Sequence, residues 1–333
     1  MFKYIVKRLL LSILILFGVS VIIYFLVRLM PSDYLDIKFR PLINNNQMTL
    51  EDLAAMKAYY GLDDNSFLGI VKGYWGWLTK ALKGDLGESF LYSRPVAEVI
   101  GEKMWISFII SGIALVLEFV IAIPLGVSSA VKQYSIQDYL VTILTMIGIS
   151  FPSFFFAAIL IKFFAVELGW LPVSGQVSAE IDKTTLSTFE YLMMNLSHFV
   201  LPMLVLVVLS IGGMMRYTRT NTLEVLNADY IRTARAKGLT EKKVIYKHAF
   251  RNTLIPLVTI FAGILPSLFG GAMIVEQVFS IEGIGNTAYK ALTNADIPFI
   301  MGYNMFLAVL TIIGTLFSDI MYAVVDPRVK LGK

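Results

Sequence analysis

The chain holds 333 residues, of which 57% are hydrophobic and 16% charged, with a net charge of +4 and a mean hydropathy of +0.72. Soluble domains average roughly 45 to 50% apolar and 25% charged residues, so the composition excludes an ordinary soluble enzyme and marks an integral membrane protein. The basic residues cluster beside apolar stretches, which is no nucleic-acid footprint. The absence of cysteine excludes disulfides, Cys-ligated metals and a thiol nucleophile, and two histidines, His198 and His248, give no basis for a multi-histidine metal centre.

Met1 to Arg8 is short and basic, and an apolar run follows from Leu9 to Val27. It is longer than the core of a cleaved signal peptide and long enough to cross a bilayer of about 30 Å, so it predicts an uncleaved first span with a cytoplasmic N-terminus. From Pro31 to about Lys103 the chain is polar and mixed in charge. Thr49-Leu-Glu-Asp52 reads as a helix start, and Tyr74, Trp75 and Trp77 form an aromatic patch. The segment is long enough for a small helical extracytoplasmic subdomain, whose aromatic residues suit the interfacial belt.

A second span is expected from about Trp105 to Val131 with Pro124 inside, and a third from about Tyr139 to Val166 with Pro152 inside. Lys132 to Asp138 joins them as a tight hairpin. The loop from Glu167 to Asn195 carries acids against Lys183 alone, which places it outside. A fourth span from about Phe199 to Met215 leads into a basic island, a fifth covers about Leu254 to Phe279, and a sixth ends near Val325. The tail Asp326-Pro-Arg-Val-Lys330-Leu-Gly-Lys333 is again basic. The expectation is an all-α membrane protein of about six spans with both ends in the cytoplasm. Its divisions are 1–30 as the first transmembrane helix, 31–103 as the extracytoplasmic subdomain, and 104–333 as the core, with a cytoplasmic loop at 216–253.

No Gly-x4-Gly-Lys-[Ser/Thr] phosphate loop is present, so ATP hydrolysis is not expected of this chain, and no catalytic constellation can be argued. Gly283-Ile-Gly285-Asn-Thr-Ala288 fits a dinucleotide fingerprint loosely but lacks the strand and helix around it. Ionisable residues within spans are functional candidates because lipid burial is costly: Glu118, Lys162, Glu276 and Asp319. The plainer reading has Lys162 snorkel, Glu276 border an outer cavity and Asp319 meet a helix end or an Arg. Glu118 has no evident partner in the sequence.

The island from Arg216 to Asn252 carries nine lysines and arginines against Glu224, Asp229 and Glu241. Asn227 or Asp229 can cap a helix containing Ile231, Ala234 and Arg235. Gly238 suits the left-handed position after its end, with Leu239 the apolar residue beyond, and Thr240 can cap the next helix. Two short helices meeting at a glycine make a projecting knuckle. Small Ala234, Ala236 and Gly238 would let a partner come close while cations ring the contact.

This knuckle, Asp229-Tyr-Ile-Arg-Thr-Ala-Arg-Ala-Lys-Gly238-Leu followed by His248-Ala-Phe-Arg251-Asn252-Thr-Leu-Ile-Pro256, resembles the EAA coupling loop of permease subunits in binding-protein-dependent ABC importers. The match is to the dipeptide/oligopeptide (DppB/OppB-like) group. Further landmarks run in family order: Gly84-Asp-Leu-Gly-Glu-Ser89 with Pro95-Val96, Ile123-Pro124-Leu-Gly126, Gly169-Trp-Leu-Pro-Val-Ser-Gly175, Leu201-Pro202, Glu276-Gln-Val-Phe279 with Gly283-Ile-Gly285, and Asp326-Pro-Arg328. The name-giving Glu-Ala-Ala is represented by Arg232-Thr233-Ala234, and Glu118 matches no landmark.

The resemblance implies the type I importer permease fold, in a bacterial or archaeal cytoplasmic membrane. It also implies a homologous second permease as heterodimer partner, two cytoplasmic ATPase subunits that bind ATP and Mg, an extracytoplasmic solute-binding protein and a peptide substrate, with no cofactor or metal in this chain. Arg232, Thr233, Ala234, Arg235, Ala236, Lys237, Gly238 and Leu239 would form the ATPase-coupling loop. Glu118, Phe151, Pro152 and Glu276 are the pathway candidates. Two alternatives stand beside this reading: a nickel or other small-solute permease of the same family, and a proton-coupled secondary carrier resting on Glu118 and Asp319.

Overall fold

The computed structural model of the chain describes residues 2–30, 33–45, 47–59, 62–64, 66–175, 188–258 and 260–325. The basic tail from Asp326, most of the acidic loop between 176 and 187, and the Asp326-Pro-Arg328 landmark lie outside the described residues.

The first helix, α1 (Phe2–Arg28), is apolar from Arg8 onward. Three short helices follow: α2 (Tyr34–Asn44), α3 (Leu50–Tyr59) and α4 (Phe67–Ala81). Local chemistry starts each of them. Asp33 and Asp36 cap reciprocally, Asp36 N–H donating to Asp33 Oδ1 at 2.8 Å, and Thr49 and Asp52 do the same for α3. Ser66 Oγ accepts from Gly69 N–H at 3.1 Å to open α4. Tyr34, Leu35, Leu53 and Leu62 bury a small core of their own. Tyr74 leaves the expected surface belt: it is 4% exposed, bonds Ser20 of α1 at 2.8 Å, and packs with Tyr24. Trp75, by contrast, stays exposed.

A two-residue ribbon, β1 (Glu88–Ser89) against β2 (Arg94–Pro95), leads into α5 (Val96–Val131). At 36 residues α5 is about 54 Å long and extends beyond a hydrocarbon core of about 30 Å. The expected third span is broken. α6 (Ile136–Ser150) and α7 (Ser153–Leu160) turn by 102° at Phe151-Pro152. Phe151 is extended (φ −84°, ψ 132°) because the following proline ring crowds the helical conformation, and Pro152 has no N–H to continue the ladder. A π-helical turn, Ile161–Glu167, closes this arm.

α8 (Thr188–Leu226) is far longer than the span expected from Phe199 to Met215, and its continuation carries Arg216 and Arg219. It packs on α5 through small residues: a Cβ on Gly126 would meet the Met215 carbonyl at 2.7 Å. After it come α9 (Asp229–Ala236) and α10 (Glu241–Lys243). The expected fifth span is divided into α11 (Phe250–Val258), α12 (Phe261–Gly270) and α13 (Met273–Val278), with prolines inside α11 and α12 and Gly271 at φ +73° between α12 and α13. α14 (Ile284–Thr293) and α15 (Ile297–Val325) complete the chain.

Among the described residues four helices are long and apolar enough to cross a membrane, and the bent α6–α7 arm would be a fifth if it is one span. Their apolar side chains face outward as well as inward, Leu10, Ile13, Val116 and Val120 each being more than 60% exposed, which a lipid solvent allows and water would not.

Candidate functional site

The knuckle forms as two short helices about Gly238. α9 ends at Lys237, whose N–H donates to Thr233 O at 3.1 Å, and Gly238 takes φ +74° with open space where a Cβ would point. The glycine is therefore required by backbone conformation rather than by crowding. The caps differ from expectation. Ala228 occupies the N-cap position with no side-chain bond, while Asn227 turns back to Leu223 O, and Thr240 starts α10 without a side-chain cap. Glu241 spends its carboxylate on Arg235 Nε at 2.7 Å, so this ion pair bridges the two helices across Gly238.

Ile231, Ala234, Val244 and Ala249 form the knuckle's own core, with Leu239 against it. Ala234 is thus a packing residue, turned away from the surface on which a partner would sit. Arg232, Thr233, Arg235, Ala236, Lys237 and Gly238 are exposed. The second helix is stiff because α10, the π-helical turn Val244–Ala249 and α11 run on without a gap.

One connection between the basic island and the membrane core was not legible in the sequence. Arg219, one turn beyond the expected fourth span, donates from Nε at 2.9 Å and Nη2 at 2.8 Å to Asp138 in the hairpin between α5 and α6. Asp138 also accepts from Tyr134 N–H at 3.0 Å and from the Ser129 hydroxyl. The sequence signal was an Asp at the start of an apolar span, three residues after its cap Ser135.

At the other end of the core two buried carboxylates organise backbone. Glu276, 2% exposed, accepts from Ser107 Oγ at 2.6 Å, Ala272 N–H at 3.2 Å and Asn286 N–H at 2.9 Å. A Cβ on Gly271 or Gly283 would strike its oxygens at 2.6 and 2.5 Å. The Gly283-Ile-Gly285 motif therefore wraps the chain's own carboxylate at the start of α14, and no phosphate is needed to explain it. Glu276 is a keystone of this backbone. Asp296 does the same for the Gly84–Ser89 landmark, accepting from Ser89 Oγ at 2.5 Å and Leu91 N–H at 3.0 Å.

Among the other candidates, Asp319 pairs with Arg8 at 3.3 Å, as the plainer reading expects, and Lys162 is exposed near Glu167 at 3.8 Å. Phe151 stacks on Phe155 and Phe156 at the 102° bend that Pro152 caps. Glu118 lies apart from all of these. It lines a cavity of about 180 Å³ with Ser111, Ser210 and Ser267, drawn from α5, α8 and α12.

Comparison with known proteins places this geometry. The family model described as binding-protein-dependent transport system inner membrane component matches residues 122–331, and the corresponding N-terminal model matches residues 1–106. The chain is 37% identical over 331 residues to the oligopeptide transport system permease protein AppB of Bacillus subtilis, covering 99% of this chain and 100% of the relative. It is 33% identical to the dipeptide transport system permease protein DppB of Alkalihalophilus pseudofirmus, covering 99% and 100%. In structure it is similar to a chain of the MetNI methionine ABC transporter in an inward-facing conformation, with a TM-score of 0.51 at 18% identity, covering 69% of this chain and 97% of that one. That likeness carries the fold, an ABC importer permease of the type I kind. The chain belongs to the inner membrane components of binding-protein-dependent transport systems, as a multi-pass membrane subunit.

Proposed function

We propose that this chain is the permease subunit of an ATP-driven importer for dipeptides or oligopeptides in a bacterial or archaeal cytoplasmic membrane, with both termini in the cytoplasm. The observation that carries the reading is the rigid, basic α9–Gly238–α10 knuckle. It sits on a chain aligned end to end with oligopeptide and dipeptide permeases. A homologous second permease completes the pathway, an extracytoplasmic binding protein delivers the peptide, and two ATPase subunits bind ATP and Mg.

The geometry gives the force a route. An ATPase groove closing on Arg232, Ala236, Lys237 and Gly238 moves the knuckle as one body, because the Arg235–Glu241 pair and the Ile231–Val244 core fix its two helices. α8 carries the displacement into the membrane as one helix, and Arg219 hands part of it to the α5–α6 hairpin through Asp138. α5 and α8 both line the Glu118 cavity, so their relative motion reshapes it.

The test is transport in proteoliposomes holding this chain with the second permease, ATPases and binding protein encoded beside it. ATP-dependent accumulation of a labelled dipeptide or oligopeptide, lost without the binding protein, is expected. Accumulation of nickel but no peptide, or uptake that collapses with a protonophore while ATP is constant, overturns the reading.

A further inference from the structure

Glu118 is a carboxylate set within a long apolar helix, where its cost calls for a matching occupant. Ser111 and Glu118 lie seven residues apart, two turns along one face of α5, so both look into the same cavity. Among the described residues Glu118 is the one charged side chain in that wall. The nearest arginines along α8, Arg216 and Arg219, line a different cavity with Thr142 and Thr145.

The serines set the sign of the site. Ser267 Oγ donates its proton to Ile264 O at 2.7 Å, and Ser210 Oγ donates its own to Leu206 O at 2.8 Å. Their remaining lone pairs, together with the carboxylate, make a wall richer in acceptors than in donors. An ammonium group, with three donors and one positive charge, fits such a wall, whereas a carboxylate or phosphate would be repelled. Nickel would seek imidazole or thiolate ligands, and neither lines this wall.

A second chamber of about 500 Å³ shares Leu206, Ser210 and Ala272 with the first, and its further wall is largely apolar, with Leu209, Ile274 and Val275. We propose that the Glu118 cavity is a subsite for the free N-terminal ammonium of the transported peptide, with the adjoining chamber taking an apolar side chain. This rests on the peptide-permease reading above.

The chain contains no cysteine, so a single introduced thiol reports on the cavity without background. Leu115→Cys in the cavity wall, within the assembled complex, is labelled with a small maleimide in the presence of trileucine amide or its N-acetyl form. The free amine is expected to slow labelling, the acetylated form to leave it unchanged, and Glu118→Gln to weaken the protection by about ten-fold in concentration, the loss of one charge-assisted contact. Equal protection by both peptides, protection that survives Glu118→Gln, or no protection by either overturns the proposal. Wild-type uptake measured in parallel separates the two readings: absent peptide transport sinks the permease assignment, while intact transport without amine-selective protection sinks the subsite alone.

Discussion

Arg219 holds Asp138 through two hydrogen bonds, Nε at 2.9 Å and Nη2 at 2.8 Å, with the carboxylate side chain only 4% exposed. This pair staples the C-terminal part of α8 to the first turn of α6. Removing one partner strands the other, so Asp138→Asn or Arg219→Met is expected to cost about 3–5 kcal/mol. Thermal unfolding of the purified complex reads this. The double variant Asp138→Asn/Arg219→Met should cost less than the sum of these two single changes, and strict additivity would show that the two side chains do not act as a pair.

Gly238 separates conformation from charge. Its φ of +74° suits glycine and is tolerated by Asn, whereas Ala there should cost about 1–2 kcal/mol. Asn and Asp have nearly the same shape, so Gly238→Asn should retain coupling while Gly238→Asp, an anion on the proposed docking face, should leave insertion intact and uncouple ATP hydrolysis from uptake. Unchanged uptake in Gly238→Asp would remove this turn from the docking contact.

Glu276 receives three donors and offers none, so Glu276→Gln sets an amide NH₂ against them. The expected loss is about 1–3 kcal/mol of stability, seen as a lower unfolding midpoint. Because the side chain is buried and its carboxylate is taken up by Ser107 and backbone N–H groups, the relative uptake of different peptides should not change. A change in peptide preference without a stability loss would assign Glu276 to the pathway.

The α2–α3 unit should respond to pH at both ends of the scale. Burial raises the Asp36 carboxyl, but its hydrogen bond to Lys57 at 2.7 Å, the Asp33 backbone bond and the nearby cations outweigh this and hold it below the ordinary carboxylate range. Its stabilisation is therefore present above about pH 4 and lost as pH falls through the lowered folded value. For Lys57 burial acts downward, yet Asp36 and Asp33 raise it, so its share persists below its ordinary range and is lost as pH rises through the elevated value. Amide protection factors across 33–57, which correct for the slower intrinsic exchange in acid, should fall as the pH is lowered, and Lys57→Met should lower them at neutral pH.

Much of the architecture follows from one-dimensional information. Apolar run length locates α1, α5, α8 and α15, because a helix is the economical way to carry backbone through lipid. Gly238 between two cap-like segments announces the knuckle, since left-handed backbone has few residue solutions. The exclusion of a phosphate loop likewise needs only the residue string.

The rest depended on what meets what. Pro152 is visible in the sequence, but a proline can kink a helix or turn it by 102°, and the packing of α7 against α8 and α13 selects the turn. Ala234 and Ala236 look alike in the motif, yet only Ala234 packs with Ile231 and Val244 and is withdrawn from the surface. Asp138 and Arg219 stand 81 residues apart, and Ser107 and Glu276 stand 169 apart, separations across which no local rule pairs side chains. The sequence by itself determined a multi-span membrane protein with a basic knuckle that turns at a glycine, because period, length and backbone permissiveness are local properties. Only the tertiary structure decided that Glu276 is a buried keystone while Glu118 faces a cavity, because the cost of a carboxylate depends on the donors and space that distant helices bring to it.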